Sequence, residues 1–276
     1  MHGPSLLTSV SASRSPVVTT AARAMATRVP IVGGNWKCNA GKGITSADVD
    51  KLVTGLNSLP KPKCEVYIAP PAIYLDKVNS TVSSTFNVSA QNVWKETSGA
   101  YTGETSAEML VDMGINYTLI GHSERRDIFG ETDELLGAKI AHAQSVGMTV
   151  IACIGEHKED REAGTTMDVL VPQLEAIVNN TSDFSKLVIA YEPVWAIGTG
   201  LTATPEQAQE THANIRTWLA GAAGADVADA MRIQYGGSAN DKNCHALAAG
   251  EDVDGFLVGG ACLAADSFGV ILATFD

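Results

Sequence analysis

Eight short apolar runs, separated by longer stretches with helical spacing, constrain this chain more than any other feature. The runs are Ile31–Trp36, Val66–Ala69, Val88–Gln91, Tyr117–Ile120, Val150–Cys153, Leu187–Ala190, Arg232–Tyr235 and Gly255–Val258. Most are rich in β-branched or aromatic residues and close on Gly, Pro or a polar residue, the marks of buried strands. Between them, Ser46 to Leu56 places Val49, Leu52, Val53 and Leu56 at helical spacing, with Ser46 as a plausible N-cap. Thr132 to Val146 stops at Gly147, and Thr204-Pro205-Glu206 opens a helix reaching Leu219. Strands alternating with helices imply parallel pairing and right-handed crossovers. Eight such units in about 250 residues predict an α/β fold of one domain, a closed (β/α)8 barrel. An open doubly wound sheet is the structural alternative.

Composition narrows the possible partners. The formal net charge is −12, which argues against nucleic acid and against anionic membranes. No run approaches the roughly 18 apolar residues of a membrane span. The five cysteines form no C-x-x-C pair, so no metal or dithiol motif is expected. Cys38 follows Lys37, which would activate the thiol if the two side chains met. The first acidic residue is Asp48, and residues 1–28 are rich in Ser, Thr and Ala and carry Arg14, Arg23 and Arg28. That composition predicts an organellar leader over 1–28, plastid before mitochondrion, with the barrel over 29–276. A disordered tail, or a shorter cytoplasmic form starting at Met25, is the alternative.

In such a barrel the chemistry sits at the C-terminal ends of the strands. Those ends carry Asn35 and Lys37, then His122, then Glu192, then the glycine turns Tyr235-Gly236-Gly237-Ser238 and Gly259-Gly260. Glycine turns after the last two strands suit a phosphate cradle, because bare backbone N–H groups can approach an anion. Taken singly, each polar residue reads as an ordinary strand-end or surface group. Together they place an amide, an amine, an imidazole and a carboxylate at one mouth.

These segments resemble triosephosphate isomerases. The resemblance lies in Gly34-Asn35-Trp36-Lys37, Tyr101-Thr102-Gly103-Glu104, Gly121-His122-Ser123-Glu124-Arg125-Arg126 and Cys153-Ile154-Gly155-Glu156. It continues in Ala190–Gly200, Tyr235–Ser238 and Val258–Ala261, all in family order from about Val29 to the end. The resemblance implies a TIM barrel that interconverts dihydroxyacetone phosphate and D-glyceraldehyde 3-phosphate through an enediol(ate), with no metal or cofactor. It makes Glu192 the base, His122 a neutral electrophile, Lys37 the stabilising cation, Asn35 an orienting amide and Glu124 a neighbouring carboxylate. It assigns the phosphate to Gly198, Ser238, Gly259 and Gly260, alongside Lys37 and Asn35. It makes Pro193 to Thr199 a lid that Tyr235 and Ser238 latch when closed. Glu156 would then receive the Trp195 indole in the open form. It implies a homodimer in which the loop from Gln91 to Glu104 inserts into a partner. Cys38 near that interface and Cys244 on an outer helix match thiols of plant-type members, where oxidation would lower activity. One departure is Ala40-Gly41-Lys42-Gly43, where the family more often has Gly directly after the Cys-Asn pair. A sugar-phosphate lyase or epimerase is the nearest rival. It would need a Schiff-base lysine late in the barrel or a metal cluster. A phosphate-binding scaffold without activity would have no need to keep Glu192, His122 and Lys37.

Overall fold

Parallel strands β1 (Ile31–Asn35), β2 (Glu65–Ala69), β3 (Asn87–Ala90), β4 (Tyr117–Ile120), β5 (Thr149–Ile154), β6 (Leu187–Tyr191), β7 (Arg232–Tyr235) and β8 (Gly255–Val258) follow one another around a closed barrel. β1 pairs with both β2 and β8, which closes the cylinder. The computed structural model describes residues 28–41, 43, 45–197 and 202–276. The eight expected strands are all present, each within about two residues of its apolar run, a normal margin for element ends. The doubly wound alternative is excluded by the closure.

Alternation along each strand divides the core in two. Inward-pointing Ile31, Tyr67, Leu119, Ile151, Cys153, Val188, Ala190 and Leu257 fill the barrel. Outward-pointing Val32, Val66, Ile68, Val150, Ile189 and Ile233 pack under the helices. The interior is tight enough to dictate a glycine. A Cβ on Gly33 would lie 2.0 Å from the Tyr67 ring, so the small residue on β1 makes room for the large one on β2. The Tyr67 hydroxyl then donates to Gln234 Oε1 at 2.8 Å, and the Gln234 amide donates to the Ile31 and Phe256 carbonyls. At the lower rim Arg232 bonds Glu65 at 2.6 Å and Tyr117 donates to the same carboxylate. The interior is filled below, which leaves chemistry to the upper mouth.

The helices follow their caps. Thr132 caps Asp133–Ser145, and Gly147 beyond it takes φ 86°. Thr204 forms a capping box with Gln207 ahead of Pro205–Ala222. One cap differs from expectation. Thr45, not Ser46, caps Ser46–Asn57, because its side chain and that of Asp48 satisfy each other's backbone N–H groups.

Candidate active site

The mouth is assembled from strand ends and the turns that follow them. Asn35 ends β1 and is buried; its Oδ1 accepts the Lys37 backbone N–H at 2.9 Å. That bond, with a second from Gln91 Nε2 to the Lys37 carbonyl at 2.8 Å, holds Lys37 at φ 53°. No other non-glycine residue among those described adopts a positive φ. A strained backbone of this kind persists where the surroundings over-determine it, and it turns the lysine back over the mouth. Lys37 Nζ reaches Glu124 Oε1 at 2.6 Å.

Gly121 breaks the alternation after β4. Its φ of 78° is open to glycine and strained for other residues, and the turn it makes delivers His122 to the mouth. His122 caps the short helix Ser123–Asp127, with Nδ1 accepting the Glu124 N–H at 3.2 Å. An acceptor at Nδ1 places the proton of the neutral ring on Nε2. Nε2 lies 3.0 Å from Glu192 Oε1, and Glu192 Oε2 accepts the Ser123 N–H at 2.9 Å. Glu192, next after β6, is 1% exposed. Burial alone would raise its carboxyl, but His122, the Ser123 N–H and Lys37 hold it below the usual carboxylate range. Burial pulls His122 down in turn, and the facing carboxylate outweighs it, leaving the imidazole raised.

Asn35, Lys37, His122 and Glu192 share one cavity of about 360 Å³ with Gly236, Gly237, Ser238, Gly259 and Gly260. Two of these glycines are sterically required. A Cβ on Gly237 would fall 2.2 Å from the Tyr235 hydroxyl, and one on Gly236 would fall 2.8 Å from Glu192 Cγ. Pro193 leads into a single turn, Val194–Ala196. The Trp195 indole donates to Glu156 Oε1 at 3.1 Å, beside the Tyr191 hydroxyl at 3.0 Å. Glu156 is fully buried, and burial raises its carboxyl despite both donors. Ser238 Oγ donates to the Ala196 carbonyl at 2.7 Å. Tyr235 is buried, and burial pushes its phenol up to about 12. Gly198 and Thr199 lie outside the described residues.

A carboxylate, an imidazole N–H and an ammonium around an anion-sized cavity can move a proton next to a carbonyl and stabilise the resulting oxyanion. Comparison with known proteins agrees with that chemistry. Residues 30–275 match the family model described as triosephosphate isomerase. The chain belongs to the triosephosphate isomerase family. It is 53% identical over 241 residues to "Triosephosphate isomerase, chloroplastic" of Secale cereale, covering 87% of this chain and 80% of that one. It is 50% identical over 243 residues to "Triosephosphate isomerase, cytosolic" of Oryza sativa subsp. japonica, covering 87% and 94%. The chloroplastic protein of Fragaria ananassa is also 50% identical, over 242 residues, covering 87% and 76%.

The two thiols singled out in this isomerase sequence stand apart from each other in character. Cys38 is exposed beside the mouth, whereas Cys244 is buried and accepts a hydrogen bond from Thr274 Oγ1 at 3.2 Å. Oxidation at Cys244 would require its helix, Cys244–Ala248, to open first. Three positions next to the site escaped the sequence reading. Gln91 fixes the Lys37 carbonyl. Glu131 Oε1 gathers Arg125, Lys139 and Asn92, and so ties the segment after His122 to the Gln91–Glu104 loop. Gln173 reaches the end of β5 from an outer helix. A lone glutamine or a buried lysine carries no periodic signal of its own, which is why pattern reading passes over them. Among the described residues, no helix is long and apolar enough to cross a membrane.

Proposed function

We propose that this chain interconverts dihydroxyacetone phosphate and D-glyceraldehyde 3-phosphate with Glu192 as the carbon base. The observation that carries the proposal is the Glu192–His122 pair, 3.0 Å apart, in the wall of a cavity that also holds Lys37 and the two glycine turns. The substrate phosphate sits against Ser238, Gly259 and Gly260. Asn35 orients the triose. Glu192 turns from His122 toward the substrate and takes the proton from the carbon beside the carbonyl. That movement removes the larger of the two carboxylates that raise His122 and leaves Glu124, which Lys37 pairs. Burial, Lys37 and the backbone N–H at Nδ1 disfavour imidazolium against the remaining Glu124 charge, so His122 serves as a neutral Nε2–H donor to the substrate oxygens. Lys37 and His122 stabilise the enediolate; His122 gives its Nε2 proton to the former carbonyl oxygen and takes back the hydroxyl proton of the neighbouring oxygen, and Glu192 returns the carbon-bound proton to the adjacent carbon. The lid excludes water and keeps the enediol phosphate from eliminating its phosphate.

A second copy of the chain is the partner this reading implies. Exposed Ile73, Tyr101, Met109, Met113, Ile128 and Phe129 are the large apolar side chains that such a partner would cover. A groove of about 370 Å³ beside Lys37, Cys38 and the Gln91–Glu104 loop would receive the partner's loop. The Ser, Thr and Arg content of residues 1–28 supports a plastid destination; relatives at 50–53% identity include chloroplastic and cytosolic proteins alike. Sequencing the N-terminus of the protein from isolated plastids checks that destination.

The deciding experiment is a coupled isomerisation assay of wild type and Glu192→Gln. Removing the base should lower kcat by at least about 10²–10⁴-fold. Unchanged turnover in the variant overturns the assignment.

A further inference from the structure

We infer that Gln173 is a positioning residue for Glu192, acting through the backbone of Gly155; this rests on the reading of Glu192 as the base. Gln173 lies on the helix Thr166–Val178 and is buried. Its amide engages one residue at both ends. Oε1 accepts the Gly155 N–H at 2.9 Å, and Nε2 donates to the Gly155 carbonyl at 3.0 Å. Gly155 follows β5 directly, where the sheet ladder continues past both strands. The Glu192 N–H donates to the Ile154 carbonyl at 2.7 Å, and the Val194 N–H donates to the Glu156 carbonyl at 3.1 Å. The backbone that carries the base therefore hangs on residues 154 and 156, and Gln173 grips the residue between them.

A side chain at position 155 cannot do this work instead. A Cβ on Gly155 would lie 1.9 Å from the Glu192 carbonyl oxygen, so no side chain is possible there. Behind the base is a second cavity, about 180 Å³, whose wall includes Glu192, Ser123, Arg126, Gly155 and Gln173. Glu192 thus borders two cavities, the substrate cavity in front and this chamber behind. Close contact seats its carbonyl against Gly155, and directional bonds fix Gly155 in turn. Gln173 supplies two of them from an element that otherwise takes no part in the site. A displacement well under a side chain's length at the reacting centre is enough to misalign a proton transfer.

The test compares Gln173→Met, which keeps the length and loses both bonds, with Leu174→Ala. Leu174 is fully buried on the same helix and belongs to the outer core. Gln173→Met should lower kcat about 10- to 100-fold with KM within about twofold, the pattern of an interaction realised in the transition state. Leu174→Ala should lower Tm while kcat at 25 °C stays near wild type. Wild-type kcat in Gln173→Met, or a raised KM with kcat retained, overturns the inference. So does a kcat loss in Leu174→Ala matching that of Gln173→Met, because the effect would then be one of stability. If Gln173→Met does not fold, Gln173→Glu decides on the same criteria, since it keeps the acceptor for the Gly155 N–H and loses the donor. Glu192→Gln is assayed alongside. Retained turnover there defeats the reading of the base itself, whatever Gln173 shows.

Discussion

Lys37 joins backbone strain to the mouth of the barrel in one residue. Its φ of 53° is disfavoured for any side chain with a Cβ, and its ammonium reaches Glu124 at the mouth. Asn35 and Gln91 hold the strained turn from both sides, one at the N–H and one at the carbonyl. A test separates the strain from the charge. Lys37→Ala and Lys37→Gly both remove the ammonium and should both lose activity. In ordinary helix and strand positions glycine is the less stable of the two. Here Lys37→Gly should be more stable than Lys37→Ala by about 1 kcal/mol, because only glycine is free of the left-handed penalty. Urea unfolding of the two variants measures the difference. A less stable glycine variant would show that the turn stores no strain.

The strands and the helices Ser46–Asn57, Asp133–Ser145 and Pro205–Ala222 were legible because each repeats a simple signal, whereas Thr166–Val178 was not read as a helix. β-branched runs ending in Gly or Pro mark the strands, and the order of polar strand ends lays out the mouth as Asn35, Lys37, His122 and Glu192. What remained hidden is what acts across elements. Gln173 and Gln91 are single amides whose importance lies in a backbone group far away in sequence, and no local pattern marks them. The short helix Leu75–Thr81 carries too few turns to show a periodicity. Thr45 was missed for a smaller reason. Two adjacent hydroxyl residues could each cap Ser46–Asn57, and only the position of Asp48 three residues after Thr45 decides between them. That decision can be measured. Thr45→Ala should destabilise the protein by about 1 kcal/mol, whereas Ser46→Ala should stay within about 0.5 kcal/mol of wild type. Equal effects would mean that the box adds nothing beyond one exposed hydrogen bond.

For the molecule as a whole, acidification pulls in opposite directions. With a net charge of −12, protonating surface carboxylates relieves self-repulsion. Buried groups oppose this, and His212 is the clearest of them. It is fully buried on the helix Pro205–Ala222, donates from Nδ1 to the Asp252 carbonyl at 3.0 Å and lies edge-on to Tyr191. Its Nε2 has no hydrogen-bond partner among the described residues. Burial lowers its pKa from 6.5 to about 4; the Asp252 carbonyl opposes the shift and the Arg216 charge assists it. The unfolded chain therefore binds a proton between pH 6.5 and 4 that the folded chain refuses. Stability from this group is complete above about pH 6.5 and drains away as the pH falls toward 4. Between pH 7.5 and 5 the loss comes to about 2 kcal/mol. Other titrating groups contribute in the same interval, so the comparison is with His212→Asn, which keeps a donor for the Asp252 carbonyl and does not titrate. The stability difference between the two proteins, measured by urea unfolding at one protein concentration, should shift against wild type by that amount between the two pH values. A constant difference would mean that the folded chain takes up this proton as readily as the unfolded one, and that burial of His212 carries no pH-dependent stability.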